Sequence, residues 1–411
     1  MQEFFKGAWT ACKEFFARVF AWLKTHFPKA ELPLLFALVT VAGLALRIPL
    51  FNIRSGDYNS FLVKWFDSIK ANGGFKALGE SYGDYTPAYY YILAFLTYLP
   101  VNSLYSIKAV SCLFDILLAL FTALCVKELT GNKTLSLCAY AAAFLLPTVF
   151  LNSAWWAQCD CIFTAFCMAS VYFLLRDKKY TAVILYGVAF AFKLQAIFIA
   201  PLFAVLWFKR KIPLVSPLLI LGVYFVFCIP AWIAGQPLAD LLTVYFHQAG
   251  EYTRLTLNAP TFAALLGSVR ENSWGILSAT LVIFTLCLTV LAMYICGRKA
   301  EWDKKSYIDF ALLFALGVPF FLPRMHERYF YLADLVALVY AFARPKRLYT
   351  AILTAFCSFY AIARFLFGAN YLSLEFVALV QFVNLALLCV ALVKDYKRKP
   401  ISVALEEGEN G

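Results

Sequence analysis

The chain has 411 residues, 63% hydrophobic and 15% charged, with 36 Lys+Arg against 24 Asp+Glu and a net charge of +12. Soluble domains carry roughly half apolar residues. Here the apolar residues fall into long blocks rather than amphipathic stripes, and a bilayer is the natural solvent for such blocks. A soluble multidomain protein is excluded, and the positive charge reads as short-loop Lys and Arg that set orientation, not as a nucleic-acid surface.

In chain order, residues 1–31 interleave Phe4, Phe5, Trp9, Phe15, Phe16, Phe20 and Trp22 with Lys6, Lys13, Arg18 and Lys24. This pattern predicts a basic amphipathic helix on the inner membrane surface, with no cleavable signal. A first span from Leu32 to Leu50 leads outward into a polar stretch, Asn52 to Thr86, with a helix expected over Tyr58 to Ala71. Pro87 to Pro100 is short and rich in Tyr, which prefers the interface, so it reads as a surface or half-inserted helix. Apolar segments follow near 104–126, 134–151, 155–175, 212–233, 275–297, 306–322, 328–343, 348–368 and 371–393. Tyr180 to Phe208 lies between two basic clusters and is too short for two spans of about 20 residues each. It reads as a hairpin that does not fully cross, its tip near Lys193 and Gln195 facing a wet cavity. With these two choices every basic cluster, from Lys127/Lys133 to Lys394/Lys397, falls on the cytoplasmic side. The expected organisation is a cytoplasmic segment 1–31, a membrane domain 32–393 with outer loops 52–100 and 234–274, and a cytoplasmic tail 394–411. The twelve Cys are scattered through apolar blocks and read as packing residues.

Charges at a membrane edge are costly and default to functional hypotheses. Asp57, in Ser55-Gly56-Asp57-Tyr58-Asn59, is a cap for the helix that follows it or a candidate general base. Asp84-Tyr85-Thr86-Pro87 reads as a helix start that orients an acceptor or braces Asp57. In Asn152-Ser153-Ala154-Trp155-Trp156-Ala157-Gln158-Cys159-Asp160 the Trp pair reads as an interface anchor, while Gln158 and Asp160 demand partners. Pro323-Arg324-Met325-His326-Glu327-Arg328 is the densest polar cluster, suited to a phosphate or to self-paired charges. Asp115 and Asp334 lie deeper, within apolar segments.

This layout resembles the GT-C glycosyltransferases, an all-α membrane bundle of about ten to thirteen spanning or half-spanning helices of about 20 residues when full length. Gly56-Asp57-Tyr58 with Asp84-Tyr85-Thr86-Pro87 resembles the paired motifs of the dolichyl-phosphate-glucose-dependent glucosyltransferases, although Thr86 departs from their Asp-Tyr-Pro-Pro. His326-Glu327-Arg328 resembles their His-Glu-Lys motif, which lies near the donor phosphate. The 152–160 segment is similar to the Trp-Gly-Gln-x-Asp signature of the bacterial family related to GPI-anchor mannosyltransferase II, with Ala157 in place of Gly. Phe192-Lys193-Leu194-Gln195 and the 323–328 segment look similar to that family too.

The resemblance implies inverting transfer of mannose or glucose from a polyprenyl-phosphate donor to a glycan or lipid-linked acceptor at the outer face. It implies Asp57 as base, with Asp84, Tyr85, Gln158 and Asp160 on the acceptor side or supporting the base. Lys193, Arg324, His326 and Arg328 would hold the donor phosphate. No cofactor is expected; the less favoured alternative is a divalent ion on Asp57 and Asp160, resembling the oligosaccharyltransferase arrangement. The rival classes are a transporter or flippase, which Asp115 and Asp334 would favour, and a membrane scaffold.

Overall fold

The structure, a computed structural model, describes residues 18, 25, 31–83, 85–250, 254–267, 274–298 and 302–397. The expected surface helix of 1–31 lies almost wholly outside the described residues, as do Asp84 and the tail beyond Lys397. The chain divides into two units, Met1–Pro49 and Leu50–Gly411. The first contains helix α1 (Glu31–Arg47), in which Arg47 turns its guanidinium back onto the Gly43 carbonyl at 3.0 Å.

In the second unit a π-helical turn (Tyr58–Leu62) opens into α2 (Val63–Ala71). Helix α3 (Pro87–Leu96) has Pro at its first position and only 10 residues, half of the roughly 20 that a span needs. Helix α4 (Ser103–Thr130) is started by the Asn102 side chain, which accepts from Leu104 N at 2.9 Å, and is stopped by Gly131 in the left-handed region at φ 69°. Asn132 then caps α5 (Lys133–Phe144). Pro147 breaks that helix, and α6 (Pro147–Phe150) with a second π turn (Leu151–Trp155) continues at 45° to it. Helices α7 (Asp160–Leu175) and α8 (Lys179–Phe192) follow. At Lys193 the backbone becomes extended, and a 3-10 segment (Leu194–Ile199) returns into α9 (Ala200–Phe208). The chain breaks at Lys193, the expected tip, and both arms, Lys179–Phe192 and Leu194–Phe208, are shorter than a full span.

Helix α10 (Ser216–Ile233) precedes the 234–274 segment, which sequence alone leaves as a loop. It contains α11 (Leu238–Gly250), strand β1 (Thr256–Leu257) and the single turn α12 (Phe262–Leu265). Leu241 is buried on α11 while Phe246 is 80% exposed, so that helix carries no continuous apolar block to announce it. The remaining helices are α13 (Trp274–Gly297), α14 (Lys304–Phe321), α15 (Tyr331–Ala343), α16 (Leu348–Phe367) and α17 (Leu374–Lys397). Between α14 and α15, strand β2 (Met325–His326) pairs in parallel with β1.

Among the described residues six helices are long and apolar enough to cross a membrane, or seven if the bent α5–α6 pair is one span. Ile276, Ile283 and Val290 on α13 are 78%, 62% and 63% exposed, an apolar face of the kind that a bilayer covers. The protein is an all-α polytopic membrane protein. Its centre is α4 packed against α5 and α7, with α8 against α7 and α10. Gly187 lets α8 and α10 cross closely: a Cβ there would lie 3.1 Å from Val223 Cβ and 3.3 Å from Ile220 Cα.

The two ends of this unit differ in chemistry. At one end Glu128, finishing α4, meets Arg176 after α7 at 3.7 Å and Lys304 at the start of α14. Lys209, after α9, donates to the carbonyl of Gly297 at the end of α13 at 2.9 Å. Arg344 holds Asp309 of α14 through two hydrogen bonds of 2.8 and 2.5 Å and lies 3.1 Å from Asp395 of α17, which Arg347 also holds. Asp160 opens α7 and Arg176 follows its end, which puts them about 24 Å apart at about 1.5 Å per residue. The basic clusters and the Asp160 region therefore occupy opposite ends of the helices.

Asp309 is 3% exposed. Arg344→Met is expected to lower thermal stability in detergent, at a cost of about 3 kcal/mol for the uncompensated buried carboxylate. Arg344→Met with Asp309→Asn should recover most of the loss. A single variant as stable as wild type would show that the clasp does not hold α14, α15 and α17 together.

Candidate active site

Asp57 has helical backbone angles and directly precedes the Tyr58–Leu62 turn, yet its side chain makes no cap hydrogen bond. The capping alternative is thus corrected: the carboxylate points to the 156–158 segment and to Arg328 instead. Two contacts fix its backbone. Ser55 Oγ donates to the Trp156 carbonyl at 2.7 Å and accepts from Tyr58 N at 3.1 Å. Lys108, fully buried on α4, donates to the carbonyls of Leu50, Phe51 and Ile53 at 2.8, 3.2 and 2.6 Å. An ammonium has three N–H donors, and here each finds one carbonyl of the turn that leads to Asp57.

The opposing wall is the irregular run between α6 and α7. Ser153 Oγ donates to Asp115 Oδ2 at 2.5 Å, which anchors the π turn on α4. Gln158 N donates to the Asn152 carbonyl at 2.8 Å, and the Gln158 carbonyl accepts from Ser111 Oγ at 2.8 Å. Ala157 sits at φ 66°, a left-handed conformation that glycine adopts without cost. That is the position where the resembling signature carries Gly. The turn aims two donors at one oxygen: Trp156 Nε1 and Gln158 Nε2 reach Asp57 Oδ2 at 3.0 and 2.5 Å. Trp156 is fully buried and stacks on Phe365 at 5.0 Å, so the interface-anchor reading is corrected for it.

Asp160 is 1% exposed at the first turn of α7. Its Oδ2 accepts from Asn152 Nδ2 at 2.7 Å, and its Oδ1 pairs with Lys193 at the hairpin tip. Arg328 reaches both carboxylates, with Nη1 3.4 Å from Asp57 Oδ2 and Nε 3.5 Å from Asp160 Oδ2. Its guanidinium carbon lies 5.2 Å from the Trp156 ring centre, a cation–π distance. The loop that carries it is held by the β1–β2 pairing and by Arg324 N, which donates to Leu255 O at 2.8 Å with Arg324 at φ 62°.

Glu327 is 1% exposed, 3.9 Å from Arg328 Nη1 and 3.9 Å from His326 Nδ1. Burial pushes its carboxyl up to about 7 against the pull of Arg328, with Asp57 and Asp160 raising it further. Burial, then Arg328 and Lys193, push His326 down to about 3. His326 is therefore a neutral hydrogen-bonding group at physiological pH.

A cavity of 630 Å³ opens beside these groups, with Lys193, Arg324, His326 and Arg328 in its wall together with Tyr85 and Tyr329. Tyr85 faces Lys193, whose ammonium is 5.3 Å from the ring centre. Ile197 belongs both to this cavity and to an apolar groove of 490 Å³ walled by α8, α9 and α10. Of the expected site residues, Asp57, Gln158, Asp160, Lys193 and Arg328 come together by direct contact, and Tyr85, Arg324 and His326 line the same cavity. Asp84 lies outside the described residues. Asp115 is committed to Ser153, and Asp334 makes none of the contacts that join this cluster. Lys108, Asn152, Trp156 and Glu327 complete the arrangement. A buried Lys inside an apolar segment is the signal by which Lys108 was available from sequence.

Two carboxylates invite a divalent ion, but among the described residues Arg328 already bridges Asp57 and Asp160, and Lys193 occupies the other side of Asp160. These cations take the place that a metal would have between the two carboxylates.

A polytopic bundle with a half-buried carboxylate and a cation-lined cavity at one end of its helices defines a membrane protein with a candidate active site. The model of glycosyltransferase family 87 matches residues 84–319, more than half of the chain, and the chain belongs to that family. It is a membrane glycosyltransferase. No curated protein matches the chain.

Lys108→Met removes the donors from three carbonyls, at a cost of about 1–3 kcal/mol for each one left buried and unsatisfied. It is expected to lower kcat for sugar transfer by at least about tenfold, since a displacement near 1 Å can cost a hundredfold, while substrate KM changes little. An unchanged kcat in a folded variant would show that Asp57 does not depend on this clamp.

Proposed function

We propose that the protein transfers a hexose, mannose or glucose, from a polyprenyl-phosphate donor to an acceptor hydroxyl at the outer membrane face, with inversion and with Asp57 as general base. The observation that carries this reading is the asymmetry of Asp57. Trp156, Gln158 and Arg328 all converge on Oδ2, which leaves Oδ1 for a substrate proton.

In the reaction the acceptor oxygen bonds to the anomeric carbon as its proton passes to Asp57 Oδ1. The bond from that carbon to the phosphate oxygen breaks, and the electron pair leaves with the polyprenyl phosphate. Lys193, Arg324 and Arg328 supply fixed positive charge where the phosphate gains charge, and His326 supplies a neutral hydrogen bond. Preorganised groups of this kind act without reorganising at the moment of reaction. Asp160 keeps Lys193 and Arg328 in place. A polyprenyl carrier is supported by an apolar groove, suited to a hydrocarbon tail, that adjoins the cavity at Ile197. An outward site is supported by the basic clusters gathering at the opposite end of the helices. Mannose is favoured by the likeness of the 152–160 segment to the GPI-anchor mannosyltransferase II-related signature, and the GT-C architecture by that likeness together with the 52–100 segment. Within this scheme the domain layout is a catalytic bundle over 32–393 flanked by two cytoplasmic segments. Asp115, which would have favoured transport, is committed to bracing the 151–155 turn.

Transfer of radiolabelled sugar from polyprenyl-phosphate-mannose and -glucose is expected in membranes that contain the wild type. Asp57→Asn should lose at least about a hundredfold, the contribution of a general base. Equal transfer by both proteins would remove Asp57 from the chemistry.

Glu327 gives the reaction a pH dependence. Its carboxyl is neutral below about 7 and charged above it. Raising the pH through 7 therefore adds a negative charge beside Arg328, and affinity for an anionic donor should fall. The KM of a phosphodiester donor, whose own charge is constant in this range, is expected to rise above pH 7 in wild type and to stay flat in Glu327→Gln. A matching rise in both proteins would assign the effect elsewhere.

A further inference from the structure

Away from the charged cavity, a second cavity of 210 Å³ lies between the 81–90 segment and α11. It is too small for a carrier lipid, and its chemistry differs from that of its neighbours. The groove walled by α13, α14 and α17 and the groove walled by α8, α9 and α10 are lined almost wholly by apolar side chains. This one has Ser81, Tyr85 and Tyr90 on one wall and Gln236, Asp240 and His247 on the other. It presents a hydroxyl, an amide, a carboxylate and an imidazole beside two phenol rings. Among the described residues the side chains of Ser81, Gln236 and Asp240 have no hydrogen-bond partner in the protein. His247 meets only Thr243 Oγ1, at 3.3 Å.

Planar polar groups that read hydroxyls in two directions, set against rings that cover an apolar C–H face, are the complement of a pyranose. The cavity's position gives it a role. Tyr85 belongs to both cavities, with Lys193 over its ring on one side and the Trp65 ring 5.4 Å away on the other. Trp65 also meets Tyr90 at 5.7 Å. Asp57 is not among the residues that line this cavity, while Tyr85 joins it to the cavity walled by Arg328, which contacts Asp57. A sugar seated here lies beside the place of the reacting hydroxyl, as the next unit of the same chain would.

We propose that this cavity binds a non-reacting sugar of the acceptor, so that the natural acceptor is an oligosaccharide and not a lone lipid or protein hydroxyl. The inference rests on the transfer reaction proposed above. Binding energy gathered at this remote sugar is available to position the reacting hydroxyl at Asp57.

The test uses the full-length protein, labelled polyprenyl-phosphate-mannose and -glucose, and two sets of octyl glycosides as acceptors. One set carries mannose or glucose; the other carries mannobiose, mannotriose, maltose or maltotriose. The wild type is expected to favour the longer acceptors in kcat/KM by at least about tenfold, the scale of discrimination that a site built to bond hydroxyls can reach. Gln236→Ala with Asp240→Ala should bring longer acceptors down to the level of single sugars and leave the donor KM unchanged. Both side chains reach solvent, so the variant should fold as wild type does. No preference for length in wild type, or a preference that survives in the variant, would overturn the inference while transfer itself stands. Transfer to no acceptor at all would remove the reaction and this inference together.

Discussion

Four charges of alternating sign, taken out of water in one place, are the constraint on which the rest depends. Lys193, Asp160, Arg328 and Asp57 form a ladder in which each charge touches the next, and Asp160 and Lys193 are 1% and 4% exposed. At an effective dielectric of about 20, a close pair attracts by about 4 kcal/mol, whereas one buried charge left alone costs several. The ladder holds only if four separate segments arrive together: the turn before α2, the start of α7, the tip of the α8–α9 hairpin and the loop before α15. The chemistry and the folding of this end of the bundle are the same problem.

The backbone pays for that meeting at identifiable places. The Tyr58–Leu62 and Leu151–Trp155 turns are π-helical, Lys193 is extended between two helices, and Ala157 and Arg324 are left-handed. Irregular backbone at membrane depth survives only where it is buried in protein or lines a cavity, and strain of this kind gathers where side chains must be aimed. Three of these stretches have a hydrogen-bond account. Lys108 answers the carbonyls before Asp57, Ser55 and Ser111 tie the 156–158 run, and Leu255 accepts from Arg324.

The family match and the geometry complement each other. The matched residues, 84–319, include Gln158, Asp160 and Lys193 but neither Asp57 nor Arg328. The fold brings those two onto the matched residues by direct contact. The partition between the phosphate side and the small polar cavity is Tyr85, near the first matched residue. One ring thus separates the proposed place for the donor from the proposed place for the acceptor.

The amino-acid sequence by itself determined the membrane class, the six or seven long apolar helices among the described residues, the short Pro87 helix and the break at Lys193, while three further expected spans are helices that fall short of that length or apolarity. Apolar block length, Pro position and charge placement act locally and are readable along the chain. It also pointed to Asp57, Gln158, Asp160, Lys193 and Arg328, because a charged or strongly polar side chain beside an apolar block is conspicuous. Only the tertiary structure decided what those residues do to one another. Asp57 reads as a helix cap until Trp156, Gln158 and Arg328 are seen around one of its oxygens, and Trp156 reads as an interface anchor until it is found buried. Helix α11 and the β1–β2 pair escaped because one is too weakly apolar and the other too short to leave a pattern. Contacts across 99, 101 and 271 positions of sequence, as at Asp57, leave no local periodicity to read. Burial, which turns a charge from a solvated group into one that must find a partner, exists only once the helices have packed.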